Sequence, residues 1–278
     1  METIVLKQAK KVVMDLVSKY EELEQWSLRE KELRAMLKEL KEKHGCIALK
    51  LGTEVEDCSF EFIDYVNKLA RGIVPVIVKI GGPDARNDIR TLMEIGVHGL
   101  IAPMVETVYA LENYVKALKD IIDEERLKSI LKAINIETVN AYNQLDSMLK
   151  SPAIKEIQQI TIGRDDLSKS LGKNVDDPEV IEVTKKITEK AHANGLIVSV
   201  GGGITPSNAE LIAKEVKPDK INTRNVVFSL KDCPNLKEAL KKALEFEIAL
   251  MRNEAEKLSK KLEALEKRIK VLEKRIER

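Results

Sequence analysis

Two short stretches hold the residues best suited to chemistry. Ile134-Asn135-Ile136-Glu137-Thr138 and Ile162-Gly163-Arg164-Asp165-Asp166-Leu167-Ser168 each run from apolar residues into a carboxylate, and a helical pattern follows. A parallel strand gives that reading, with its acid delivered at the carboxyl end. Acids from neighbouring strand ends can hold a hard divalent cation between them and leave positions open for substrate oxygens. With no Cys or His nearby, Glu137 and Asp166 point to Mg²⁺ or Mn²⁺ rather than zinc. The same acids could instead cap the helices that follow. Asp165 would point to the opposite face if the strand persisted, which leaves Asp166 the better ligand.

Lys79 lies near the end of the apolar run 74–80. A charge in an inner strand needs a partner. Metal-ligand carboxylates or a substrate carboxylate would serve, as would a place on a barrel rim from which the ammonium reaches water. Gly81-Gly82-Pro83 follows, and Gly81 lets a ligand approach the backbone closely. Glu54 and Glu56, after the first strand, could offer a base. Arg224, in Asn222-Thr223-Arg224-Asn225, is expected in the last strand and could bind an anionic group. Gly201-Gly202-Gly203-Ile204-Thr205-Pro206-Ser207-Asn208 is a glycine turn opening a helix, where free N–H groups favour phosphate or carboxylate. His44, His98 and His192 fall away from strand carboxyl ends and read as structural or surface residues. No Ser/His/Asp arrangement, Walker loop or dinucleotide fingerprint is apparent.

The elements that must position these residues follow from periodicity. Between Cys46 and about Phe228, apolar strands are expected over 46–51, 74–80, 99–105, 130–136, 157–162, 196–200 and 220–227. Helical patterns over 60–69, 84–95, 109–122, 139–149, 178–193 and 206–215 separate them. Repeated β-α units with apolar strands mean an α/β fold, a doubly wound sheet or a barrel with both faces covered. Polar and glycine-rich turns after several strands favour a (β/α)8 TIM-type barrel. Only seven strands are convincing, so one is missed or an N-terminal segment closes the ring.

Three domains result: an N-terminal helical segment over 1–44, a catalytic barrel over 45–230 and a C-terminal coiled-coil helix over 235–278. The first reads as two helices, with stripes Val12, Val13, Leu16, Val17, Tyr20 and Leu33, Met36, Leu37, Leu40, stopping at His44-Gly45. In the tail, Leu244, Ile248, Met251, Ala255, Leu258, Leu262, Leu265, Ile269, Leu272 and Ile276 alternate steps of four and three. That heptad repeat predicts a coiled coil and a homo-oligomer. In a parallel pair Lys261 would face Glu266 of the second copy, and Arg268 would face Glu273. The alternative is a helix folding back on residues 1–44.

Composition narrows the partners. The 278 residues are 44% hydrophobic and only 4% aromatic, so the core must be mostly aliphatic. Lys+Arg (47) and Asp+Glu (46) nearly cancel, so there is no basic field to favour nucleic acid. No uncharged apolar run reaches eighteen residues, and no membrane span is expected. Cys46, Cys58 and Cys233 are widely spaced and lack zinc-type His partners, as in a reduced cytoplasmic protein.

Four motifs occur in order: Val76-Ile77-Val78-Lys79-Ile80-Gly81-Gly82-Pro83, Leu100-Ile101-Ala102-Pro103-Met104-Val105-Glu106-Thr107, Ile136-Glu137-Thr138 and Gly163-Arg164-Asp165-Asp166-Leu167-Ser168-Lys169-Ser170-Leu171-Gly172. Together they resemble the HpcH/HpaI aldolase and citrate lyase β-subunit family of the phosphoenolpyruvate/pyruvate barrel superfamily, over roughly 46–228. The resemblance implies that Glu137 and Asp166 bind a divalent metal. It further implies a pyruvate-like 2-oxo acid, or its adduct, cleaved or joined at a carbon–carbon bond through a metal-stabilised enolate. Lys79, Gly81, Thr138 and Arg224 would form the substrate-binding set. Two departures stand out. Lys79 replaces an arginine of many family aldolases and cannot make its bidentate fork. The stretch Gly52-Thr53-Glu54-Val55-Glu56-Asp57 lacks the proton-transferring histidine of the aldolase branch, leaving Glu54 or Glu56 for that task. Two rivals remain: a phosphate-binding barrel isomerase or synthase using 201–208, and an inactive barrel serving as a coiled-coil scaffold.

Overall fold

The computed structural model describes residues 26–276, with side chains described through Lys270. The first expected helix, around Val12–Tyr20, lies outside them. Eight strands close a barrel in chain order: β1 Cys46–Gly52, β2 Val76–Lys79, β3 Gly99–Ala102, β4 Leu131–Ile136, β5 Gln159–Gly163, β6 Ile197–Gly201, β7 Lys220–Asn222 and β8 Val226–Ser229. Strands β1 to β7 run parallel to their sequence neighbours, whereas β8 is antiparallel to both β7 and β1.

The eighth strand was hidden in the expected seventh. The run 220–227 is two strands joined by a hairpin, with Lys220 opposite Ser229 and Asn222 opposite Val227. Thr223 makes the turn: its N–H donates to the Val226 carbonyl (3.0 Å), and its Oγ1 accepts from Val226 N–H (3.0 Å). Arg224 is therefore on the turn and not in a strand.

Side chains alternate inward and outward along each strand, and the inward rows form layers. Ala48, Ile77, Ile101, Ala133 and Val227 make a small buried apolar plug. Two residues further on, towards the strand carboxyl ends, the inward positions turn polar: Lys50, Lys79 and Asn135. The larger core, including Leu49, Val78, Leu100 and Ile134, packs between the outward strand faces and the helices.

The helix Leu28–His44 begins with a capping box between Ser27 and Glu30 and stops at Gly45, which adopts φ 74°. It buries Leu33, Leu37 and Leu40. The C-terminal helix Leu236–Ile276 packs along it and buries Leu240, Ala243, Phe246 and Leu250. Arg29 pairs with Glu256 (3.2 Å), Glu30 with Lys257 (2.9 Å), and Asn253 donates to Tyr65 Oη (2.8 Å). The tail helix thus folds back on its N-terminal neighbour, as in the second of the two expected arrangements. Among the described residues no helix is long and apolar enough to cross a membrane.

Candidate active site

The strand carboxyl ends open on a cavity of about 470 Å³. Glu137 follows β4 directly and is 3% exposed. Its Oε1 accepts from Met104 N–H (2.9 Å) and its Oε2 from Asn135 Nδ2 (2.9 Å). Gly163 at the end of β5 makes its room, since a Cβ there would lie 2.5 Å from Glu137 Oε2. Asp166 comes from the first turn of the helix Arg164–Leu171 and pairs with Lys169 (3.0 Å). Both acids line the cavity. Burial, chiefly, pushes the Glu137 carboxyl above its usual range, and the negative charge of Asp166 adds to the effect.

Because the helix starts at Arg164, strand alternation does not extend to Asp165, which lines the cavity beside Asp166. The condition under which it would face away, a strand continuing past Gly163, is not met.

Lys79 is buried at the end of β2, and its Nζ lies 2.8 Å from Glu54 and 3.3 Å from Glu56. Its charge partners are thus the two glutamates of the loop after β1. Burial works against the ammonium, but Glu54, Glu56 and Glu137 outweigh it and hold Lys79 above its usual range. Glu56 also pairs with Lys50 (3.2 Å). Burial alone would raise the Glu56 carboxyl; Lys50 and Lys79 hold it below its ordinary value instead. Gly52 makes way for this carboxylate, since a Cβ there would overlap Glu56 Oε2. Glu56 lines the cavity, whereas Glu54 reaches only Lys79 from beside it.

Two expected substrate contacts are placed elsewhere. The Gly81 N–H donates to Asp88 Oδ2 (2.8 Å), and Gly81 is not part of the cavity wall. Thr138 caps the helix Val139–Lys150 by accepting from Ala141 N–H (3.1 Å) and donates to Glu106, so its hydroxyl is engaged away from the cavity. Arg224 does line the cavity, exposed at the hairpin tip. His44 is buried, His98 Nδ1 accepts from Val76 N–H (3.2 Å), and His192 pairs with Asp219 (2.9 Å), none at the cavity.

Sequence reasoning missed Lys50, Asn135 and Glu247. Lys50 carries the same signal as Lys79, a lysine inside an apolar strand. Asn135, two residues before Glu137, shares its inward face, and its Oδ1 is buried with no hydrogen-bond partner among the described residues. Glu247 accepts from Thr223 Oγ1 and Asn225 N–H, both at 2.6 Å, which fastens the Arg224 hairpin to the C-terminal helix.

The family described as HpcH/HpaI aldolase/citrate lyase matches residues 61–214, over half of the chain. The chain belongs to that family. Its HpcH/HpaI segment includes Lys79, Glu137 and Asp166; Lys50, Glu54, Glu56, Arg224 and Glu247 lie outside it. No curated protein matches the sequence. Among solved structures, the fold is similar to an HpcH/HpaI aldolase/citrate lyase family protein from Burkholderia cenocepacia J2315. That pair has a TM-score of 0.54 at 13% identity, covering 68% of this chain and 91% of the other. An HpcH/HpaI aldolase from Desulfitobacterium hafniense DCB-2 has a TM-score of 0.52 at 19% identity, covering 64% and 86%. Citrate synthase SbnG has a TM-score of 0.54 at 17% identity, covering 79% and 98%. At these identities the likeness is one of fold.

The donor set suits a hard cation. Glu137 and Asp166 offer carboxylate oxygens, and the Asn135 amide oxygen beside them is unspent. Among the described residues no group of three or more His, Cys, Asp or Glu is spaced to hold a metal alone. Mg²⁺ is commonly held by one or two carboxylates, with water and substrate completing its shell.

Proposed function

We propose that this chain is a divalent-metal-dependent carbon–carbon lyase or aldolase acting on a pyruvate-like 2-oxo acid or its adduct. The observation that carries the reading is the convergence of Glu137 and Asp166 on one cavity that Lys79 also enters. Glu137 and Asp166 would hold Mg²⁺ or Mn²⁺, which when bound supplies a Lewis acid to the keto and carboxylate oxygens of the substrate.

The chain's own residues supply the rest. Lys79 stays protonated beside Glu54 and Glu56, so it acts as a fixed positive charge and not as an amine nucleophile. It offsets negative charge that develops on substrate oxygen as the carbon–carbon bond breaks. Glu56, a carboxylate on the cavity wall, takes the proton-transfer role, while Glu54 holds Lys79. Arg224 on the exposed rim receives an anionic group of the substrate. Gly81 and Thr138 serve the loop and the helix cap.

The phosphate-binding rival draws on the glycine turn, whose residues Gly201 to Thr205 line the same cavity. Asn208 braces that turn, its Nδ2 donating to the Gly203 carbonyl (2.7 Å) and to Asp176 (3.0 Å). We also propose that the chain works in the cytoplasm, in keeping with its three free thiols, and assembles through the tail's heptad stripe.

A crystal grown with Mg²⁺ and oxalate, a 2-oxo acid mimic, tests the site. Ion and oxalate between Glu137, Asp166 and Lys79 are expected. An empty cavity at saturating concentrations of both would favour the scaffold reading.

A further inference from the structure

The barrel interior is apolar on one side only. The plug of Ala48, Ile77, Ile101, Ala133 and Val227 comes from β1 to β4 and β8. The other side, on β5, β6 and β7, carries Gln159, Thr161, Ser199, Lys220 and Asn222, and all of these but Lys220 are buried. Polar groups placed there must find partners. Lys220 Nζ donates to Gln159 Oε1 (2.7 Å), Gln159 Nε2 donates to Thr161 Oγ1 (3.0 Å), and Ser199 Oγ donates to Asn222 Oδ1 (2.9 Å). Strands β5 and β7 are not neighbours, so the bond between Lys220 and Gln159 crosses the interior. The chain of bonds starts at the first residues of β7 and β5 and ends at Thr161, a residue of the cavity wall.

Donor chemistry fixes the direction of each bond. An ammonium only donates, so Gln159 turns its oxygen to Lys220 and its Nε2 to Thr161. Thr161 Oγ1 is therefore the acceptor, and its own proton must point elsewhere. Among the described residues no acceptor receives that proton. Two residues further along each strand, Thr161 is followed by Gly163 and Ser199 by Gly201, so neither row carries a side chain to roof the hydroxyl. Asn135 is the partner of Thr161 in the β4–β5 ladder, about 4.8 Å away across the strands. The Thr161 proton thus faces a ligand held at Glu137, two residues beyond Asn135.

We infer that Thr161 determines specificity by donating its hydroxyl proton to a substrate oxygen that the metal does not hold. Gln159 and Lys220, neither of them on the cavity wall, are positioning residues that act through Thr161. The inference rests on the 2-oxo acid reading above and adds to it a requirement for a further oxygen on the substrate.

A matched pair of ligands tests this. 3-Hydroxypyruvate and 2-oxobutyrate present the same 2-oxo acid and differ at the chain end, hydroxyl against methyl. Titrated into the full chain with saturating Mn²⁺, 3-hydroxypyruvate is expected to bind roughly tenfold more tightly, the worth of one well-placed hydrogen bond. Thr161→Val should erase that preference, and Thr161→Ser should keep it. Gln159→Glu separates positioning from packing. Its carboxylate still pairs with Lys220 but can only accept, so it turns the Thr161 proton away from the cavity. This variant should lose the preference while its thermal unfolding midpoint stays at or above that of the parent. A preference that survives Thr161→Val would overturn the role of Thr161, and one that survives Gln159→Glu would overturn the positioning chain. Equal binding of the two ligands by the parent would overturn the inference and leave the 2-oxo acid reading standing. Binding of neither would overturn both.

Discussion

At 3.2 Å from Lys50 and 3.3 Å from Lys79, the Glu56 carboxylate keeps its charge although burial opposes it. Its folded pKa lies below the unfolded one, so its contribution is full above the ordinary carboxylate range. That contribution fades as pH falls from there through the folded value. Glu56→Gln should cost about 3 kcal/mol near neutral pH, because the buried Lys79 and the half-buried Lys50 lose their shared partner. It should also flatten the acid limb of stability against pH. Urea unfolding at several pH values reads both, and an unchanged acid limb would contradict the assignment. Lys79 and the strand-end acids were legible in the sequence because a charge at the end of an apolar run is conspicuous. Lys50 carries the same mark in Ala48-Leu49-Lys50-Leu51. The partners of Lys79 were not legible, since they depend on how the 53–58 loop folds over the strand ends.

Strand-end glycines show how an element prepares a residue. Gly163 ends β5 where the Glu137 carboxylate must pass, and a methyl group there has no free volume. Gly163→Ala is expected to cost about 1–3 kcal/mol by overpacking and to weaken divalent-ion binding with it. Thermal unfolding beside ion titration checks this, and a variant matching its parent in both would remove the cradle. Most strands and helices were readable from period and punctuation. The hairpin was not, because Lys220 to Val227 is apolar at both ends and its polar centre, Asn222-Thr223-Arg224-Asn225, passes for a strand end. The orientation of Asp165 was not legible for a related reason: the sequence does not show that strand period stops at Gly163, where helical period takes over.

For the whole molecule, the C-terminal helix is both a structural wall and a projecting arm. Its 3-4 stripe was evident in the sequence, but its second face was not, because Phe246 and Leu250 lie off the heptad positions. This division predicts different outcomes for two truncations. Ending the chain after Lys257 should halve the sedimentation mass and leave barrel unfolding nearly unchanged. Ending it after Ala243 should also destabilise the barrel, by about 3 kcal/mol or more from Phe246 alone. Equal stability of the two products would contradict the inward packing of Phe246 and Leu250. An unchanged mass after the first cut would remove the tail as the means of assembly.

The central claim is that Glu137 and Asp166 act together on one divalent ion. Calorimetric titration of Mn²⁺ into the full chain and into its Glu137→Gln and Asp166→Asn variants tests it most directly. One ion per chain is predicted for the parent, with each variant losing more than the roughly 10–100-fold typical of altering an outer-shell partner. Binding of the same strength in both variants, or none in the parent, would contradict it.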